Sequence, residues 1–149
     1  MNKKLFVVAV LVISSWQCFS QKGEIFSTAE GAIDGYDAVE YFTSGKPVKG
    51  QKDISFSWKG ATWHFLNAEN LDQFKKQPDR YAPQFGGYCA YGTAEGHKAP
   101  TQADAFAIVD NKLYFNYNKK VLDLWTKDQK ALIEKANQQW PEVRKQQSY

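Results

Sequence analysis

Apolar and polar residues alternate in two short stretches set back to back. Ile54-Ser55-Phe56-Ser57-Trp58 alternates, Lys59-Gly60 interrupts, and Ala61-Thr62-Trp63-His64-Phe65 alternates again. A period of two marks a half-buried strand, and a two-residue break containing glycine predicts a tight hairpin. The pairing sets Phe56 against Trp63 and Ile54 against Phe65. These residues share one face with Trp58, while Ser55, Ser57, Thr62 and His64 share the other. A slip of one residue would expose the aromatic rings, so the register is strongly specified. A second hairpin is predicted from Phe106-Ala107-Ile108-Val109 and Lys112-Leu113-Tyr114-Phe115, joined by Asp110-Asn111. Both turn residues tolerate positive φ. This hairpin groups Phe106, Ile108, Leu113, Phe115 and Tyr117 on one face.

Elsewhere the period lengthens. Asn67 is placed to cap a helix from Ala68 to about Gln77, with Ala68, Leu71, Phe74 and Lys75 on one side and Pro78 as its stop. Asn118 is placed to cap another, carrying Val121, Leu124 and Trp125. Thr126 and Gln129 fit a capping box and predict a restart there. The last helix carries Leu132, Ile133, Ala136 and Trp140, and Pro141 closes it. Upstream, Asp34-Gly35 signals a turn, Ala38 to Phe42 reads as a short strand, and Thr43 to Gly50 as a loop. The fold class is α+β: two β-hairpins with packed helices and a helical C-terminus. One domain over residues 32–140 is expected, preceded by a mobile leader at 21–31 and followed by a tail at 141–149.

The first twenty residues do not belong to that domain. Met1 to Lys4 is basic, Leu5 to Ile13 is apolar, and Cys18-Phe19-Ser20 offers small residues at a cleavage site. This order is that of a secretory signal peptide, and the apolar run is too short to span a bilayer. The chain is expected to be exported, periplasmic or secreted, without a membrane span after cleavage. Loss of Lys3 and Lys4 takes the formal net charge from +3 to near +1. Charges are interspersed and no basic stripe points to nucleic acid.

Cleavage leaves one cysteine. Cys89 lies in Tyr81-Ala82-Pro83-Gln84-Phe85-Gly86-Gly87-Tyr88-Cys89-Ala90-Tyr91-Gly92, a segment that allows one short helix. It has no cysteine to pair with. Three readings stay open. Cys89 is a small buried hydrophobe; or it contacts a soft metal, copper or zinc, with His64 or His97; or it is a reactive thiolate served by His64 or Lys98. His97 is eight residues on, about 80° out of register on one helix, so it meets Cys89 only if the chain folds back after Gly92 or Gly96. Tyr36, Tyr41, Tyr88 and Tyr91 are candidates to line a ligand pocket beside Cys89. Asp37 is a candidate contact and, alternatively, a cap for backbone N–H groups. No nucleophile elbow, phosphate-cradling loop or zincin pair occurs, so binding is favoured over catalysis.

Several motifs resemble those of the YHS-domain family. Gly35-Tyr36-Asp37-Ala38-Val39-Glu40-Tyr41-Phe42 looks like an opening motif, and Gly60 to Phe65, the helix up to Phe74, and Pro78-Asp79-Arg80-Tyr81 look like the core. Tyr81 to Ala90 and Leu113-Tyr114-Phe115-Asn116-Tyr117 look like the extension of small exported bacterial members. The resemblance covers roughly Ala32 to Trp140 and implies a YHS-type core. It implies metal handling, through cysteines just after the second strand and at the start of the helix. Here those places hold Leu66, Asn67, Ala68, Glu69 and Asn70. What the resemblance leaves is an exported binding domain for a metal ion or small ligand through Cys89, with a thiol-dependent redox or transfer enzyme, or an interaction domain with Cys89 as core, as alternatives.

Overall fold

The computed structural model describes residues 23–147; the expected signal segment 1–20 lies outside them. The elements are β1 (Ser27–Thr28), β2 (Gly31–Ala32), α1 (Glu40–Thr43), β3 (Gln51–Trp58), β4 (Ala61–Phe65), α2 (Ala68–Lys76), α3 (Pro78–Tyr81), α4 (Ala90–Ala94), β5 (Phe106–Val109), β6 (Lys112–Phe115), α5 (Lys119–Lys127) and α6 (Gln129–Val143). Among the described residues the strands form three separate antiparallel pairs, β1–β2, β3–β4 and β5–β6. The class is α+β with a helical C-terminus. No helix of the described residues is long and apolar enough to cross a membrane.

Both expected hairpins form. Lys59 and Gly60 take φ of 49° and 73°, and Asp110 and Asn111 take 49° and 62°, the left-handed pair that tight two-residue turns require. Phe56 faces Trp63 and Ile108 faces Leu113. Beyond Ser55↔His64 the first register shifts, so that Phe65 pairs with Gln51 and not with Ile54. The irregularity lets β3 bend away while Phe65 stays in the core.

Two apolar clusters result. Trp63, Phe65, Phe74, Tyr41, Leu113 and Phe115 belong to the first. Phe85, Tyr114, Trp125 and Ala136 belong to the second. The β5–β6 hairpin contributes to both, so Tyr114 is buried on the face expected to be polar, while Tyr117 and Ile108 are exposed.

Several expectations are corrected. Residues 38–42 are not a strand. Asp37 Oδ1 accepts the Val39 N–H at 2.8 Å, and this side-chain turn leads the chain into α1, overriding the β-propensity of Val39, Tyr41 and Phe42. The described part of the leader is not loose. Ile25 and Phe26 are buried and Ser27–Ala32 forms the β1–β2 hairpin. Thr126 does not cap the restart, because its hydroxyl donates back to Leu122 O; Asp128 takes the cap position. Pro141 lies inside α6, and the helix continues to Val143, which is buried. His64 is buried too. It lies on the face opposite Trp63, but β2 covers that face: a Cβ on Gly31 would lie 2.8 Å from His64 Cδ2.

The leader docks on Gly86. Phe26 N–H donates to Gly86 O at 2.8 Å. Gly86 has φ of +62°, and a Cβ there would lie 1.8 Å from the Glu24 carbonyl oxygen. Gly86→Ala is expected to lose about 1–2 kcal/mol from the left-handed backbone alone, and more from displacing the leader. Denaturant melts and protease cleavage near residue 26 measure the two effects. An unchanged midpoint would contradict this docking.

Candidate functional site

Cys89 sits where three pieces of chain meet. Pro83 ends one segment and residues Gln84–Gly87 make a short 3-10 turn with Phe85 and Gly86 left-handed. The expected single helix is thus broken, and Cys89 becomes the N-cap of α4. Its N–H donates to Ala99 O at 3.1 Å, it bridges to Phe115, and its carbonyl accepts from Thr93 N and Thr93 Oγ1. The thiol accepts from Gly92 N at 3.4 Å and donates to Asn116 Oδ1 at 3.6 Å. Tyr91 N–H also donates to that oxygen, at 3.2 Å, which fixes the orientation of the amide. Asn116 is fully buried and its Nδ2 has no partner.

Cys89 is 2 % exposed. Burial pushes its pKa up, and the N–H groups of Gly92, Tyr117 and Tyr91 offset this only in part. The thiol is therefore protonated at neutral pH. An acid whose folded pKa lies above its unfolded value keeps a proton that the unfolded chain releases. Its stabilisation is full below the unfolded value, about 8.5 for a thiol, and is lost as pH rises from there toward the folded value, by up to about 1.4 kcal/mol per pH unit. Urea midpoints from pH 7 to 9.5 are expected to fall more steeply for the native chain than for Cys89→Ala. Parallel slopes would contradict a buried neutral thiol.

The other candidates go to different places. Tyr88 stays beside Cys89, but it is buried, with its hydroxyl on Gly23 O. Tyr91 also stays adjacent, half-buried. Tyr41 is core, packed edge-on to Phe106 and Phe115. Tyr36 lies across from Lys49 and lines a separate open groove with Asp34, Thr101 and Asp104. Asp37 is fully buried and engaged by Val39 N, Leu66 N and Asn70 Nδ2. Both of its carboxylate oxygens accept from these N–H groups. His64 lies against Gly31 in a groove with Thr28 and Thr62, a set of neighbours it does not share with Cys89. The chain does fold back at Gly96, where His97 N–H donates to Gly92 O, but the His97 side chain is exposed.

Among the described residues no group of three or more His, Cys, Asp or Glu side chains is placed to hold a metal ion. Around Cys89 the donors are a protonated thiol, an amide and backbone groups. This set does not fit copper or zinc, which take ionised thiolate and imidazole. Leu66 and Asn70, at the places where the resemblance puts cysteines, serve a hydrogen-bond network. Asn70 Nδ2 donates to Asp37 Oδ2 at 2.8 Å and to Glu40 Oε1 at 2.7 Å.

A cleft of about 240 Å³ opens elsewhere, where the β3–β4 turn, the segment after α3, the leader and α6 meet. Trp58, Pro83, Phe85 and Trp140 are its apolar lining, with Glu24, Lys59, Asp79 and Gln84 as polar groups. The sequence reading missed it. Trp58 was visible as a hairpin aromatic and Trp140 as a helix residue, but nothing local links positions so far apart.

α1, one aromatic hairpin and α2 pack together as an α+β unit. Residues 39–85 match the family model of the YHS domain, about a third of the chain. No curated protein and no solved structure matches the chain. The matched stretch ends at Phe85, before Cys89. It includes Trp58, Lys59, Asp79 and Pro83 of the cleft, while Glu24 and Trp140 come from its two flanks.

Proposed function

We propose that the protein is a binding module that does no chemistry on its ligand, and that the ligand sits in the cleft between Trp58 and Trp140. The observation that carries this reading is the make-up of the cleft. Two half-buried indoles and Phe85 line a concave space together with Glu24, Lys59, Asp79 and Gln84, a largely polar cleft in which aromatic faces stand beside groups able to orient a ligand. Its volume suits a ligand smaller than a typical drug. The matched stretch supplies most of the wall, and the leader and α6 complete it.

A soft-metal site using Cys89 and His64, and a redox or transfer reaction at Cys89, each need a reachable thiolate. The enclosed, protonated thiol counts against both. Copper(I) titration of the native chain and of Cys89→Ser is expected to give equal, weak uptake; stoichiometric copper lost on substitution would restore the metal reading. For the cleft, amide and indole N–H signals can be followed while amino acids, amines and monosaccharides are added. Shifts are expected at the indoles of Trp58 and Trp140, with Trp125 and the residues around Cys89 unmoved. Shifts centred on Cys89 and Asn116, or none at all, would overturn the proposal.

We also propose export, on the basic–apolar–small order of residues 1–20. N-terminal sequencing of exported protein is expected to begin near Gln21; a retained Met1 would contradict it.

A further inference from the structure

The cleft already shows what its indole attracts. Lys59 sits at the tip of the β3–β4 turn with φ of 49°. Its Nζ lies 4.7 Å from the centre of the Trp58 ring and 3.5 Å from Glu24 Oε1. An ammonium held over an indole face and beside a carboxylate is a cation–π arrangement reinforced by charge. Here the cation belongs to the chain itself. Its side chain remains 42 % exposed, so it is held loosely. An exposed ion pair of this kind contributes little to stability, and the Lys59 side chain can swing aside at small cost.

Two ammonium groups face Glu24, Lys59 in an ion pair and Lys98 from farther off; the unbalanced carboxylate of the cleft is Asp79. The cleft lining holds two carboxylates, Glu24 and Asp79, against one ammonium. Asp79 is exposed and makes no ion pair among the described residues. A second indole, Trp140, lies on the cleft with its ring 5.9 Å from that of Phe85. Two indoles and an uncompensated carboxylate favour a positive ligand over a neutral or anionic one of the same shape.

We propose that the cleft takes a small organic ammonium ion, which displaces Lys59 from the face of Trp58 and sits between the indoles with Glu24 and Asp79 as counter-charges. This rests on the cleft being the ligand site and adds the class of ligand. Lys59 is then a tethered competitor, present on the indole until a free cation replaces it.

The test uses choline and its neutral isostere, 3,3-dimethyl-1-butanol, each titrated into the native chain with tryptophan fluorescence and calorimetry as readouts. Choline is expected to bind about tenfold more tightly than the isostere, the size of a well-placed cation–π contact. Lys59→Met is expected to strengthen choline binding about threefold by vacating the indole, with no such gain for the isostere. Trp58→Leu is expected to abolish the preference for choline. Trp58→Phe, which keeps an aromatic face, is expected to keep part of it and guards against a folding defect in the leucine variant. Equal affinity for choline and its isostere would overturn the cationic assignment while leaving the cleft as a neutral-ligand site. Binding of neither would overturn the cleft reading as well. Weaker choline binding in Lys59→Met would show that the lysine is part of the site and not a competitor, and would also overturn the proposal.

Discussion

Asn70→Ala is expected to cost about 3–5 kcal/mol, the range for removing one partner from a buried charged network. The reason lies in one nitrogen. Asn70 Nδ2 donates to Asp37 at 2.8 Å and to Glu40 at 2.7 Å, and all three residues are buried. Each such bond to a charged group contributes about 1.5–3 kcal/mol. The substitution removes both and leaves two carboxylates facing each other without the donor between them. Asp37 also holds Val39 N and Leu66 N, so the network ties α1, the end of β4 and α2 together. Chemical denaturation measures the loss. A cost under about 1 kcal/mol would mean that water replaces the amide without penalty.

Trp63→Ala is expected to cost a similar amount, about 3–5 kcal/mol, for a different reason. The indole is 1 % exposed. It packs on Phe74 with ring centres 4.9 Å apart and on Trp58 at 5.8 Å, and its Nε1–H donates to Trp58 O at 3.1 Å. Trp58 lines the proposed ligand cleft, so the same substitution is expected to weaken any ligand binding there as well. His64→Ala provides the contrast. The hairpin pattern alone puts His64 in solvent and sets its cost under about 1 kcal/mol, but the covering β2 makes a larger loss the expected outcome.

What the sequence made legible was local. The turns at Lys59-Gly60 and Asp110-Asn111, the caps Asn67 and Asn118, and the pairing of Phe56 with Trp63 each depend on neighbours within a few positions, and each formed as expected. The errors came where tertiary contacts outweighed local preference. Val39 to Phe42 reads as a strand until the Asp37 turn is known. Residues 23–31 look loose because their polar residues outnumber Ile25 and Phe26, yet those two side chains dock in the core beside Gly86. His64 looks solvent-facing because a strand pattern does not reveal that another hairpin lies over it. Cys89 stood out by composition, and composition does not report enclosure. Asn116 directly follows the apolar run Leu113-Tyr114-Phe115, and a polar residue in that place is a usable signal for a buried hydrogen-bonding role. The cleft joins residues from Glu24 to Trp140, and no pattern along the chain brings them together.

The reading of Cys89 as a capped, protonated part of the fold decides between a binding cleft and a thiol site. Its most direct test is the alkylation rate of the native protein at neutral pH, followed at rising urea concentration. A thiol that becomes reachable only when the domain opens is expected to label slowly, with a denaturant dependence that matches global unfolding. Rapid labelling in the absence of urea, persisting well below pH 8.5, the approximate value for a free thiol, would contradict it and return Cys89 to the centre of the function.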